Sequence, residues 1–209
     1  MTPDAIGAQA RRFEERDHEG QPARAVIAER VYPTGLEDMW DALTNAERLP
    51  RWFLPVEGDL RPGGRYQLQG NAGGTITRCE APVALDVTWE FGGGISWVCV
   101  RLSAQDEGTL LVLEHIAPVG VAEEHWESFG PAATGTGWDL ALMGLGLHVP
   151  TGEALDPKAV EAWTLSDEGK RFIHGSTEAW ARAHVAAGAD PQVAQGMAQR
   201  TAAFYTGEG

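Results

Sequence analysis

Very little in these 209 residues can form a cross-link or hold a metal. The two cysteines, Cys79 and Cys99, stand apart and outside any CxxC spacing. Neither a disulfide scaffold nor a zinc site has its ligands, and both read as reduced strand residues. Basic side chains are scarce as well: 16 Lys and Arg against 30 Asp and Glu leave a net charge of −14. A surface of that sign repels nucleic-acid phosphate and anionic lipid, so neither nucleic acid nor a membrane is an expected partner. No apolar run reaches the length of a bilayer span. Met1–Glu19 is charged and lacks the apolar core of a signal peptide, so a cytoplasmic location is expected. Catalytic signatures are missing too. There is no GxSxG and no HExxH, and the glycine words match neither GxGxxG nor a phosphate loop. No cofactor and no metal are expected.

What is present is periodicity. Residues 1–22 read as a leader: Thr2 and Pro3 could start a short helix with Ile6, Ala10 and Phe13 on one face. From Ala23 the pattern alternates to Val31, as a strand does, and Tyr32-Pro33-Thr34 ends it. Thr34 with Glu37 forms a capping box before a helix carrying Leu36, Met39, Trp40 and Leu43, and a second short helix is expected over Ala46–Trp52. A meander follows, with strands at Arg65–Gln69, Thr75–Glu80, Val83–Phe91, Ser96–Leu102 and Thr109–His115, separated by turns such as Arg61-Pro62-Gly63-Gly64 and Gly92-Gly93-Gly94. After a loop at His125–Pro131, a helix is expected over about Ala132–His148. Trp138, Leu142, Leu145 and Val149 mark one apolar side, and Leu140, Met143 and Leu147 a second, so two neighbours must cover it. Its glycines, Gly135, Gly137, Gly144 and Gly146, predict close approach of another backbone. In the tail, Ser166 caps one helix, Gly188 stops it, and Asp190-Pro191 starts another with Val193, Met197, Thr201 and Phe204 in register. That hairpin covers the long helix or mediates self-association.

Eight short words occur in one order: Val31-Tyr32-Pro33, Trp40-Asp41-Ala42-Leu43-Thr44, Arg51-Trp52-Phe53, Asp59-Leu60-Arg61-Pro62-Gly63-Gly64-Arg65-Tyr66, Thr88-Trp89-Glu90, Ser96-Trp97-Val98, Gly108-Thr109-Leu110-Leu111 and Leu113-Glu114-His115. With this element order, residues 24–149 resemble the SRPBCC (START-like) superfamily, in the branch named for activators of a heat-shock-protein ATPase. The resemblance implies an α+β helix-grip fold: a curved antiparallel sheet around a long C-terminal helix, here over residues 23–150, with residues 151–209 as an added helical hairpin. It also implies a cavity between sheet and helix that takes apolar small molecules. Some members are cyclases, aromatases or hydrolases, and most bacterial members of the branch have no assigned reaction.

Candidate ligand contacts are Trp40, Tyr66, Trp89, Phe91, His115, Trp138 and Leu142. Eight tryptophans suit a pocket that stacks flat ligands, and they suit a bulky core equally well. His115 shares a face with Leu111 and Leu113 and should point inward. A cavity enzyme would use it, or a tyrosine, as acid and base, and a structural histidine tying strand to helix is the stronger reading. Glu114 and Arg101 alternate outward. His125-Trp126 sits where a cavity mouth is expected, and its flanking Glu123, Glu124 and Glu127 lack defined metal-ligand spacing. Three functions follow from these residues. A module that binds an apolar or aromatic small molecule ranks ahead of a cavity enzyme acting on polyketide-like substrates. A co-chaperone-like interaction protein comes last. A homodimer through the long helix and C-terminal extension is the expected protein partner.

Overall fold

Alternation places the sheet. In the computed structural model, which describes residues 8–208, eight strands form one antiparallel sheet in the order β1-β2-β8-β7-β6-β5-β4-β3. They are β1 (Ala10–His18), β2 (Gln21–Tyr32), β3 (Val56–Gly58), β4 (Arg65–Leu68), β5 (Gly73–Glu80), β6 (Ala84–Phe91), β7 (Gly94–Gln105) and β8 (Gly108–Pro118). Val26 opposite His115, and Val100 opposite Leu113, put Val26, Ala28, Val98, Val100, Leu111 and Leu113 on the inner face. The outer face is a narrow floor of Ala23, Ala25, Ile27 and Ile116. Paired charges stand on that side, including Arg12–Glu29 at 2.8 Å and Arg16–Glu114. Long arginine stems can cover apolar surface while their heads stay wet.

The helices are α1 (Leu36–Thr44), α2 (Glu123–His148), α3 (Pro157–Thr164), α4 (Asp167–Ala186) and α5 (Pro191–Thr206). The architecture is α+β, with the curved sheet closed over α2. No helix among the described residues is long and apolar enough to cross a membrane.

Several local expectations are corrected. Thr2, Pro3 and Ile6 lie outside the described residues, but Ala10 and Phe13 sit on strand β1, not on a helix. A two-residue turn, Glu19 (φ 53°) and Gly20 (φ 81°), folds β1 back on β2 in the left-handed geometry that tight hairpins require. The N-cap of α1 is Gly35, and Thr34 instead donates its hydroxyl to Asp38 at 2.6 Å. The second short helix shrinks to a 3-10 turn at Leu49–Arg51. The loop expected at His125–Pro131 is mostly helical. α2 starts at Glu123 and kinks at Gly130 (φ 58°, ψ −153°), just before Pro131. Only glycine adopts that conformation freely, and a Cβ there would lie 2.7 Å from Met197 Sδ.

The second face of α2 is covered within the chain, by α4 and α5. Gly135, Thr136 and Asp139 of α2 meet α4. The Trp180 ring lies against Gly135, where a Cβ would sit 2.2 Å from the indole. Backbone approaches only Gly144, through the Trp52 carbonyl; the other α2 glycines accept side chains. Next to Gly135 a buried polar knot joins three elements. Asp139, 1% exposed, accepts from Arg11 Nε (2.8 Å) and the Gln9 amide on the β1 side, and from Ser176 Oγ (2.5 Å) and Trp180 Nε1 (3.1 Å) on α4. Burial pushes this carboxyl up, and Arg11, Ser176 and Trp180 pull it back down.

The tail helices start where their caps predict. Ser166 Oγ accepts from the Gly169 amide at 3.2 Å, and Asp190 accepts from the Gln192 and Val193 amides. On α5, however, Val193 and Phe204 are exposed. A stripe of Ala194, Met197, Ala198, Thr201 and Ala202 is buried instead, because small residues let the helix seat closely.

Gly135 yields a test of opposite sign to helix propensity. In an open helix, glycine to alanine stabilises by about 1 kcal/mol. Here Trp180 is fully buried and has nowhere to move, and overpacking costs about 1–3 kcal/mol or more. Gly135→Ala is expected to lower the urea unfolding free energy by roughly 1–2 kcal/mol. A stabilised variant would refute the close Gly135–Trp180 contact.

Candidate functional site: an apolar cavity beneath the sheet

The inward residues of β6 begin the site. Leu85, Val87 and Trp89 face α2, while Asp86 and Glu90 point the other way to pair with Arg101 and Arg65. β4 and β5 add Tyr66, Leu68 and Ile76, and β7 and β8 add Val98, Val100 and Leu113. Across from them α2 presents Trp138, Ala141 and Leu142. The rim comes from the segment after α1, where Trp52 Nε1 donates to the Ala42 carbonyl at 2.8 Å and pins the chain. Phe53 stacks on Trp52 at 5.5 Å and on Trp138 at 6.1 Å, and Trp138 meets Trp89 edge-on at 5.3 Å. These walls line a pocket of about 170 Å³ that is open on one side. Its exposed lining residues, Leu60 and Cys79, mark the mouth.

Four of the seven candidate contacts stand on this wall: Tyr66, Trp89, Trp138 and Leu142. Three do not. Trp40 packs half-buried against the main core from α1. Phe91 has the inward parity of β6 but is its last residue, beside the Gly92-Gly93 turn, and is 62% exposed. His115 lies behind Trp138, facing a separate hollow of about 60 Å³ lined also by Arg24, Trp126 and Thr134. In that hollow Arg24 lies 4.2 Å over the Trp126 ring and grips Glu123 with two 3.0 Å bonds. His125 is exposed and packs on Phe129, away from both spaces. Among the described residues no group of three His, Cys, Asp or Glu could hold a metal.

Trp52 and Phe53 are wall residues that periodicity did not single out, whereas Leu68, Leu85 and Val87 share the alternating faces of Tyr66 and Trp89. Trp52 and Phe53 lie in an irregular segment with no period to give them a face. Their one signal was bulk: two adjacent aromatics before Leu54-Pro55 in a stretch otherwise rich in turn residues.

The hydrogen bonds of His115 fix its chemistry. Trp138 Nε1 donates to His115 Nδ1 at 3.0 Å. An indole N–H can only donate, so Nδ1 carries no proton and the ring proton sits on Nε2. Nε2 then donates to Ser96 Oγ at 2.9 Å, and the Ser96 hydroxyl passes on to the Trp89 carbonyl at 3.1 Å. Both ring nitrogens are occupied. Burial pulls the imidazole down to about 4, and an added proton on Nδ1 would face another donor. The histidine therefore ties β8 to α2 as a neutral group and orients Trp138 toward the cavity.

A model of the family described as activator of Hsp90 ATPase homolog 1-like protein matches residues 33–149. Among solved structures, CalU16 from Micromonospora echinospora is 33% identical in its crystal form, with 84% of this chain and 98% of that chain covered and a TM-score of 0.63. Its solution structure gives 32% identity, 86% and 97% coverage, and a TM-score of 0.70. EF2215 of Enterococcus faecalis shares the fold at 20% identity, with 86% and 94% covered and a TM-score of 0.58. DynU16, a protein of the dynemicin biosynthetic locus, does so at 20% identity over 62% of this chain and 48% of that one, with a TM-score of 0.54. No curated protein matches the chain.

NMR titration reads the protonation and tautomer of His115 directly. The folded His115 pKa lies below its ordinary 6.5, so folding favours the neutral ring. The stability this contributes is complete above about pH 6.5 and is lost as pH falls toward about 4. The His115 ring is expected to stay neutral, with its proton on Nε2, down to about pH 4. A midpoint near 6.5, or an Nδ1-protonated ring at neutral pH, would contradict the network.

Proposed function

The chain belongs to the activator of Hsp90 ATPase homolog 1-like family, within the SRPBCC (START-like) superfamily, and from that premise we propose that it binds one apolar or aromatic small molecule between sheet and long helix. The observation that carries this reading is the cavity itself: about 170 Å³ of space walled almost wholly by carbon. A core that needed its aromatics only for packing would close over such a space, since interiors normally pack with few voids larger than a water. Cavities of about 150 Å³ lined by aliphatic and aromatic side chains stay dry and take up benzene. Tyr66, Trp89, Trp138 and Leu142, with Trp52 and Phe53, are the proposed contacts.

The cavity-enzyme alternative gains nothing from His115. The ring is walled off by Trp138, and neither nitrogen is free to move a proton for a substrate. A co-chaperone role rests on the family's descriptive name alone, and likeness of fold does not transfer function. Self-association through the long helix has lost its motive, because α4 and α5 of the same chain already cover that face.

The reading is tested with 1-fluoronaphthalene followed by fluorine NMR. Saturable one-to-one binding is expected. It should weaken at least tenfold in Ala141→Trp, which fills the cavity from α2, and stay unchanged in Val193→Trp on the exposed side of α5. No saturable binding, or binding indifferent to a folded Ala141→Trp, would overturn it.

A further inference from the structure

The pocket has a buried floor and an exposed mouth. Leu68, Val98, Val100, Leu113 and Leu142 form the floor, and each is at most 7% exposed. Leu60 and Cys79 belong to the same lining, and both are exposed. The way inward ends at Trp138. Its Nε1 is held by His115, His115 is held in turn by Ser96, and the hollow beside His115 is a separate space. Outside the mouth the surface turns polar at once. Leu60 stands between Asp59 and Arg61, whose side chains pair at 2.9 Å and are more than half exposed.

Resting on the binding function proposed above, we infer that the pocket takes the apolar end of a larger molecule, one or two fused rings, whose remainder leaves past Leu60 and Cys79 and stays in water. Size sets the inner part. A space of about 170 Å³ is close to cavities that hold benzene, and short of a larger polycyclic body. The surrounding aromatics add edge and face contacts to a flat ring. The open side sets the outer part. Small-molecule sites normally bury most of their ligand's surface. Here the wall ends at exposed Leu60 and Cys79, so a ligand no larger than the pocket leaves an apolar edge facing water. A molecule that continues from that edge as a polar chain keeps its ring buried and its polar groups hydrated, so no desolvation of those groups opposes binding. The inner end, closed by Trp138 and His115, has no room for a second chain.

Competition against 1-fluoronaphthalene separates this inference from the function it rests on. The competitors are naphthalene, its 1-substituted triethylene glycol ether, and the ether with the same chain at both positions 1 and 5. The one-chain ether is expected to bind within about threefold of naphthalene, because its chain stays hydrated. The two-chain ether should be weaker by about tenfold or more, because one chain is forced against the closed end. A naphthyl ether ending in a chloroacetamide reads where the chain leaves. The Cys79 sulfur displaces chloride: a C–S bond forms, the C–Cl bond breaks, and the thiol proton goes to buffer. Peptide mass spectrometry should show Cys79 alkylated about tenfold faster or more than by chloroacetamide itself, because the bound ring holds the reagent at the mouth. Cys99 should gain no rate, and excess naphthalene should abolish the gain at Cys79. If the one-chain ether fails to compete, if the two-chain ether matches it, or if Cys79 gains no rate, the inference fails while the pocket function stands. If no naphthalene binds at all, the function fails and the inference with it.

Discussion

The rotation of α2 about its own axis is fixed by one buried carboxylate. Successive helical side chains point about 100° apart, so Trp138 and Asp139 look toward different neighbours. Asp139 is out of water, and an unpaired carboxylate there would cost several kcal/mol. It is stabilised only because Arg11 and Gln9 reach it from the edge of the sheet while Ser176 and Trp180 reach it from α4. This rotation of α2 brings all four donors to the carboxylate. With Asp139 held there, Trp138 must lie over β6 and β8, where His115 accepts its N–H. The cavity wall is therefore set by a contact that touches no ligand.

That dependence explains which parts of the fold were legible in the residues. Strands β2 and β4 to β8 announce themselves by alternation, and α4 and α5 by Ser166 and Asp190. Strand β1 does not. Its inward positions are Arg11, Phe13 and Glu15, and only one of these is apolar. Arg11 faces inward because Asp139, 128 residues away, receives it, and no local period carries such a pairing. β3 is too short to show a period, with three residues. The helical turns before Gly130 were hidden because Pro131 reads as a helix start, whereas the chain is already helical from Glu123 and only kinks at Gly130.

The candidate site divides the same way. Tyr66, Trp89, Trp138 and Leu142 were legible because strand and helix periods give each a face. Trp52 and Phe53 were not, since irregular backbone has no parity. Phe91 shows the limit of parity itself: it predicts a face, not whether anything covers that face at the end of a hairpin. His115 had the right direction, but its role depends on which donor meets Nδ1, a tertiary fact.

A sheet and helix pinned from behind by Asp139 and from within by His115 can hold open a space that side chains would otherwise fill. Xenon enters dry apolar cavities and avoids hydrogen-bonded water sites, so diffraction from crystals under xenon pressure tests this most directly. The account predicts a xenon atom bounded by Leu85, Trp89, Trp138 and Leu142. Side chains filling that space, or ordered waters hydrogen-bonded within it, would contradict it.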